Sequence, residues 1–198
     1  MAPGCCMKLP DPAMPLSDSD RETLTGLAYA SIRHGLEQGG PLQFEATADT
    51  PASLLEQAAC FVTLNESGQL RGCIGSLEAR RPLAVDVCEN AYAAAFRDPR
   101  FAALTEPELD KLDLSISVLT PARAMQFESE QDLIRQLRPG VDGLILTDAG
   151  RRGTFLPSVW EQLPEATDFL RHLKLKAGLP ADHWSDGLRV ERYTTISW

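Results

Sequence analysis

The sequence predicts an α+β fold, with a mainly antiparallel sheet flanked by helices. Some segments repeat apolar residues every three or four positions and others alternate them with polar residues, which are the periods of helices and strands. Two pairs of strand-like segments are joined by glycine-containing turns, which is typical of hairpins. The helices and strands do not alternate regularly along the 198 residues. A mainly antiparallel sheet is therefore favoured over a doubly wound parallel one.

In the first half of the chain, the sequence predicts a helix, a hairpin and a second helix. The first helix should begin near Ser17 or Ser19, because Ser19 and Glu22 have capping-box spacing, and it should end at 39–41, Gly-Gly-Pro. The segments CFVTLN and LRGCI should pair around a turn at Gly68. The run PLAVDVCENAYAAAFRD predicts an alanine-rich helix. The apolar stripe of the first helix comprises Leu24, Ala28, Ile32 and Leu36.

The second half predicts two strands, a hairpin and several helices. LDLSISVLT alternates apolar and polar residues and reads as a strand with one face on a core. The second hairpin should turn at 148–150, Asp-Ala-Gly. We expect a helix in TDFLRHLKLKAG, capped by Thr167 or Asp168. The remaining segments predict short helices in EPELDKL and EQDLIRQL and one last strand in LRVERYTTIS.

The composition limits the classes of function. The formal net charge is -9, so the chain lacks the excess of Lys and Arg that nonspecific nucleic-acid binding requires. No apolar run approaches the roughly 20 residues of a membrane helix, so we expect no membrane association. The proline-rich residues 1–16 resemble no signal peptide and predict a flexible tail, which leaves 17–198 as the folded domain.

Five cysteines at irregular spacing fit neither a disulfide framework nor a zinc site. We therefore expect free thiols in the reducing cytoplasm. No histidine cluster has metal-ligand spacing and no nucleotide-binding motif occurs, so we expect neither a metal nor a cofactor.

The stretch LRGCIG at 70–75 is the strongest candidate site. Alternate side chains of a strand share a face, so Arg71 and Cys73 should point one way and Leu70 and Ile74 the other. A cation near a thiol favours the reactive thiolate. The bare backbone of Gly72 and Gly75 would let a ligand approach closely. An arginine-lined pocket of this kind suits a small anion. Four further residues complete the set of candidates, Asp98 and Arg100 in AAFRDPRF and Ser115 and Ser117 on the strand LDLSISVLT.

Structural interpretations stand beside these functional ones. Cysteine is among the most buried residue types, so Cys73 is equally readable as a packing residue. A cysteine nucleophile usually has a histidine base, and His34, His172 and His183 all lie far away in sequence. Asp98 and Arg100 follow a predicted helix, and an alternative interpretation is that they have the purely structural role of capping its C-terminal end.

LRGCIG, followed by AYAAAFRDPRFAALTEPELDKLDLSISVLTP, GVDGLILTDAGRRGTFLPSVWEQLP, FLRHLKLKAGL and RYTTISW, resembles the AMMECR domain family, whose bacterial members are called AmmeMemoRadiSam system protein A. The resemblance runs from about residue 20 to the C-terminus. It implies a larger and a smaller lobe, with LRGCIG lining a cleft. It also implies Memo-like and radical SAM proteins as partners. It implies no particular reaction.

Two hypotheses follow. In the first, the protein is an enzyme or enzyme component that uses Cys73 and Arg71 on a small anionic or modified substrate. In the second, it is a noncatalytic adaptor whose LRGCIG groove receives a segment of a partner protein.

Overall fold

The computed structural model describes residues 16–198, which form two compact units. Unit 1 comprises 16–120 and 196–198, and unit 2 comprises 121–195. The predicted flexible tail falls almost entirely on residues 1–15, which lie outside the described part. Leu16, the last residue of that predicted tail, is buried in the hydrophobic core of unit 1.

Helices and antiparallel strands make up both units, as the sequence predicts. The helices are α1 (Asp18–Gln38), α2 (Ala52–Leu55), α3 (Leu83–Phe96), α4 (Glu106–Leu109), α5 (Glu130–Gln136) and α6 (Ala166–Lys176), with a 3-10 helix at Pro157–Glu161. The strands are β1 (Cys60–Glu66), β2 (Gln69–Gly75), β3 (Leu112–Leu119), β4 (Arg123–Ala124), β5 (Gly143–Asp148), β6 (Arg151–Phe155), β7 (Arg189–Tyr193) and β8 (Thr195–Ser197).

The strands form two four-stranded sheets. Sheet 1 has the order β2-β1-β3-β8, and sheet 2 has the order β4-β7-β5-β6. Both predicted hairpins are confirmed, because β1 pairs with β2 and β5 with β6 in antiparallel register. Each turn has two consecutive residues with positive φ, Ser67 (53°) and Gly68 (77°) in the first and Ala149 (47°) and Gly150 (76°) in the second, and glycine takes the second place in both.

The capping box of α1 differs from the predicted one. Ser17 and Asp20 form it: the Asp20 N–H donates to Ser17 Oγ (3.1 Å) and the Ser17 N–H donates to Asp20 Oδ2 (3.0 Å). Ser19 is the second residue of the helix, so it cannot be the N-cap, which is the residue that precedes the helix. The aspartate at the third helical position, Asp20, reaches back to the N-cap as a glutamate would. The predicted pair of Ser19 and Glu22 is therefore wrong, because a capping box can also be completed by aspartate.

Two predictions near the C-terminus are also wrong. The last strand is two strands, because β7 pairs with β5 in sheet 2 whereas β8 belongs to sheet 1. Helix α6 begins at Ala166 with Glu165 in the capping position, earlier than the predicted Thr167 or Asp168. The segment LRVERYTTIS contains no glycine or proline to signal that the chain changes sheets. The start of α6 has no side-chain cap that could reveal it.

The core of unit 1 lies on one face of sheet 1. Helix α3 packs on β1 and β2, and α1 packs against α3. Small residues permit these close approaches: a Cβ at Gly72 would lie 2.1 Å from the Ala94 carbonyl oxygen on α3. One at Gly35 of α1 would lie 2.4 Å from the Phe96 ring. The alanine-rich character of α3 thus brings its backbone against β2 beside the candidate site.

Unit 2 has its own core. Leu144, Leu146 and Val190 of sheet 2 pack with Phe169 and Leu173 of α6. The Trp160 ring stacks on Phe169 with centroids 3.8 Å apart, and its indole N–H donates to the Asp142 carbonyl (2.8 Å). None of the helices within 16–198 is long and apolar enough to cross a membrane.

Candidate functional site

Cys73 lies on β2, an edge strand of sheet 1, in a row of small polar side chains. It pairs with Thr63 of β1, which in turn pairs with Ser115 of β3. All three are half-buried. Their row lies on the face opposite the core, because the neighbouring β1 residues Val62 and Leu64 are fully buried in it. The structure therefore brings together two candidates that stand 42 positions apart in the printed sequence.

The Cys73 thiol has a hydroxyl partner that the sequence analysis missed. Thr63 Oγ1 donates to Cys73 Sγ across 3.2 Å. A hydroxyl in this position would stabilise a thiolate formed when the sulfur reacts. The sequence analysis did not single out Thr63, because only the strand register shows that it stands opposite Cys73.

Asp98 and Arg100 hold the backbone of Cys73 from the outer side of the strand. The Cys73 N–H donates to Asp98 Oδ2 (2.9 Å), and its carbonyl accepts from Arg100 Nη2 (3.4 Å). Asp98 is 4% exposed and also accepts from the Arg100 guanidinium and N–H. The Arg100 guanidinium is the main reason that the pKa of Asp98 lies well below its ordinary value, and the Cys73 N–H contributes. These two residues therefore close the edge of β2 at Cys73.

A β-bulge falls at Arg71. Leu64 pairs with Gly72 and Asn65 with Leu70, so Arg71 is an extra residue in the ladder. Because of the bulge, the Leu70 side chain points to the face opposite the core and is 42% exposed. The Ile74 side chain packs against the core. The prediction that Leu70 and Ile74 share a face is wrong, since it assumed unbroken alternation.

The Arg71 guanidinium is bound to acceptors other than Cys73. Its Nε donates to Glu108 Oε1 (2.7 Å) and its Nη2 to the Ala102 carbonyl (3.0 Å). The hydrogen bond from Arg71 is the largest cause, and the one from Thr105 the second, that lower the pKa of Glu108 to about 2. Among the described residues, the buried Nη1 of Arg71 has no hydrogen-bond partner. Because this nitrogen is buried, it is not accessible to a ligand in this structure.

The remaining candidates have mainly structural surroundings. Ser117 bonds to Ser197 (2.9 Å between hydroxyl oxygens), one row away from Cys73. A Cβ at Gly75 would lie 2.3 Å from the Phe61 ring, so its bare backbone accommodates Phe61. Gly72 faces α3 on the core side. That LRGCIG lines a cleft, as the family resemblance implies, stays a prediction.

A buried polar network at the end of β2 was also missed. Asp86 of α3 is 1% exposed and accepts hydrogen bonds from the Cys60 N–H, Ser76 Oγ, Arg81 Nε and Asn90 Nδ2 at 2.8–2.9 Å. The available signal was an aspartate four residues before an asparagine on a helix whose one other charged residue is Glu89. The network fixes the chain where β2 leaves the sheet.

The three described cysteines should differ sharply in reactivity. Burial raises the pKa of Cys88 to about 12 and that of Cys60 well above its ordinary value, whereas Cys73 is half-buried. With Cys5 and Cys6 changed to serine, we expect the folded protein to expose one reactive thiol at neutral pH, that of Cys73. Mass spectrometry after brief alkylation checks this. Labelling of Cys60 or Cys88 at the rate of Cys73 would contradict it.

The Arg71–Glu108 pair should make stability depend on pH. The lowered pKa of Glu108 means that its stabilisation is present above its ordinary value of 4.5 and is lost as the pH falls toward about 2. Glu108→Gln should lower the free energy of unfolding by about 2 kcal/mol at neutral pH. Urea unfolding across this range should show the difference from wild type shrinking with acid.

Glu106→Gln is the matched control for that experiment, because Glu106 is exposed on the same helix α4. It should change stability little at any pH. A Glu108→Gln effect that stays constant down to acid pH would mean that the charge of Glu108 is not what stabilises the fold.

Within 16–198, no three His, Cys, Asp or Glu side chains converge to hold a metal ion. His34, the histidine of unit 1, contacts the Gly40 carbonyl through Nδ1 (2.8 Å). At Cys73 the structure places the Thr63 hydroxyl at the sulfur and the Arg100 guanidinium at the backbone carbonyl.

Comparisons with known proteins agree with the predicted resemblance. The AMMECR1 family model matches residues 25–198. A protein of Methanothermobacter thermautotrophicus is 39% identical over 181 residues, which cover 90% of this chain and 93% of that protein. A Thermotoga maritima protein is 37% identical over 153 residues, covering 76% and 83% of the two chains.

The fold agrees as well. The crystal structure of an uncharacterised protein from Pyrococcus horikoshii superposes with a TM-score of 0.83 at 33% identity, and the match covers 92% of each chain. With the family model spanning nearly the whole described sequence, this chain belongs to the AMMECR1 family.

Proposed function

We propose that the protein is an enzyme or enzyme component in which Cys73 acts as a reactive thiol on a small anionic substrate. The observation that carries this proposal is the contrast among its cysteines. Cys60 and Cys88 are completely buried, whereas Cys73 lies half-buried on the polar face. The Cys73 sulfur accepts a hydrogen bond from Thr63 (3.2 Å) and the buried Cys60 sulfur accepts one from Asn90 (3.6 Å), so exposure, and not the hydrogen bond, sets Cys73 apart.

Arg100 is the guanidinium that an anion at Cys73 would meet, since Arg71 is paired with Glu108. Arg100 has 53% of its side chain exposed while its position is fixed by Asp98, so its guanidinium can also meet a ligand. The hydrogen bond to Asp98 is the main cause that raises the pKa of Arg100, so the guanidinium keeps its charge. Guanidinium groups bind carboxylates and phosphates through paired N–H donors. The small anionic substrate that we propose therefore carries a carboxylate or a phosphate group.

The adaptor hypothesis is the alternative, and the edge of β2 limits its form. Asp98 and Arg100 occupy the outward backbone groups of Cys73, so a partner segment could not extend the sheet by pairing there. It would have to lie on the polar face instead. The family resemblance makes Memo-like and radical SAM proteins the partners to test in either case, in the cytoplasm, where thiols stay reduced.

Charge-selective alkylation tests the proposal. In a variant that retains only Cys73, the rate constants for anionic iodoacetate and neutral iodoacetamide would be measured in the folded protein and in urea. Folding should raise the iodoacetate-to-iodoacetamide ratio, because the fixed guanidinium attracts the anion. Arg100→Gln should lower the ratio roughly fivefold, the effect of one unit charge several ångströms away in a partly aqueous setting.

Arg97→Gln is the control, because Arg97 is an equally exposed neighbour whose guanidinium lies over the Tyr92 ring, 4.9 Å from its centroid. It should leave the ratio nearly unchanged. A ratio that is equal in the folded and unfolded protein would overturn anion recognition at Cys73, and the search should then turn to partner proteins.

A further inference from the structure

Unit 2 contains a cavity of about 750 Å³ that the proposed function does not use. Its walls are the segment 124–128, the loop 184–188 and strand β7, all within unit 2. Pockets for small molecules typically enclose roughly 300–1,000 Å³. The size therefore fits a small organic ligand.

Two aromatic rings form one corner of this cavity. Phe127 and Trp184 lie with ring centroids 5.6 Å apart at an interplanar angle of 60°. Trp184 remains 37% exposed, so its indole is accessible at the cavity wall. An exposed indole at the wall of a cavity presents a π face to a ligand.

The loop that carries Trp184 is held in place. Asp148, 7% exposed at the end of β5, accepts hydrogen bonds from His183 Nε2 and from Ser185 Oγ, the residues on either side of Trp184. The Gly187 N–H then donates to Ser185 Oγ (3.2 Å). The ring is thus positioned before any ligand arrives, which lowers the entropic cost of binding.

The charges around the cavity favour a cation. Glu128, Asp186 and Glu191 line it together with a single cationic residue, Arg189, so the lining carries two surplus negative charges. Lys174 lies 5.9 Å from the Trp184 ring centroid, but Glu130 pairs with it at 2.5 Å and is not among the lining residues. The cavity carboxylates are therefore not needed to neutralise Lys174.

We propose that this cavity binds a small organic cation, an alkylammonium group seated against the Trp184 ring with its charge facing the carboxylates. An ammonium over an indole is attracted by the ring quadrupole, and the attraction strengthens when the group is desolvated. The apolar corner accommodates the alkyl stem. This site involves neither Cys73 nor any residue of unit 1.

NMR titration with n-butylammonium chloride tests the proposal, with sodium butyrate and n-butanol at equal ionic strength as probes of charge. We expect a saturable shift of the Trp184 indole N–H signal, assigned with Trp184→Phe, for the ammonium alone. The Trp160 and Trp198 indoles are internal references, because they donate to the Asp142 carbonyl and Thr25 Oγ1.

Glu191→Gln should weaken binding about fivefold by removing one facing charge. The matched control is Glu161→Gln, an exposed glutamate of unit 2 outside the cavity, which should leave the affinity unchanged. Equal shifts with all three probes, equal losses in both variants or no saturable shift would overturn the proposal. None of these results bears on the reactivity of Cys73.

Discussion

Asp98→Ala should lower the free energy of unfolding by about 3 kcal/mol and loosen the strand around Cys73. The change leaves the backbone N–H groups of Cys73 and Arg100 without their acceptor. A buried donor left unsatisfied costs about 1–3 kcal/mol. The ion pair itself adds less, because half of the Arg100 side chain is exposed.

Urea unfolding measures the loss, and amide hydrogen exchange at Cys73 locates it. Asp98→Asn should retain part of the stability, because its amide oxygen can still accept from the Cys73 N–H. Asp113→Ala on β3 is the control, because Asp113 is exposed. If Asp98→Ala cost no more than that control and left exchange at Cys73 unchanged, Asp98 would not be what closes the β2 edge.

Gly72→Ala should have a comparable or larger effect on stability. The new Cβ would lie 2.1 Å from the Ala94 carbonyl oxygen, and a backbone atom of a packed helix cannot rotate away. Either α3 or β2 must move, and overpacking of this kind costs about 1–3 kcal/mol or more. Because β2 carries Cys73, we also expect its alkylation rate to change.

Gly26→Ala on α1 makes the same chemical change without a collision, since nothing lies within 4 Å of the new Cβ. It should stabilise the protein by about 0.5–1 kcal/mol, because alanine loses less conformational entropy than glycine in a helix. Similar unfolding midpoints for the two variants would show that the close approach of α3 to β2 is not required.

How far the sequence predicts this fold and site depends on the range of the interactions involved. The two hairpins were predictable because glycine turns and alternation are local signals, visible at Gly68 and Gly150. The division of the last strand was not, since β8 is set by a partner far away in sequence: Ile116 and Trp198 exchange both backbone hydrogen bonds.

The site divides along the same line. Cys73 and Ser115 could be named from the pattern of two strands, but their placement on either side of Thr63 depends on register. Simple alternation placed Arg71 beside Cys73. In the structure, a bulge falls at Arg71 and its guanidinium pairs with Glu108, and neither feature has a sequence signature. The guanidinium that contacts Cys73, at its backbone carbonyl, is that of Arg100.

The most direct test of the account is the rate at which Cys73 reacts with iodoacetamide at neutral pH, in the variant that retains only this cysteine. The folded protein should react faster than the same chain in urea. Thr63→Val should slow the folded protein about fivefold, roughly the value of one hydrogen bond, while Thr63→Ser should preserve the rate. A folded protein that reacts more slowly than the unfolded chain, with no response to Thr63→Val, would make Cys73 a packing residue and contradict the proposed function.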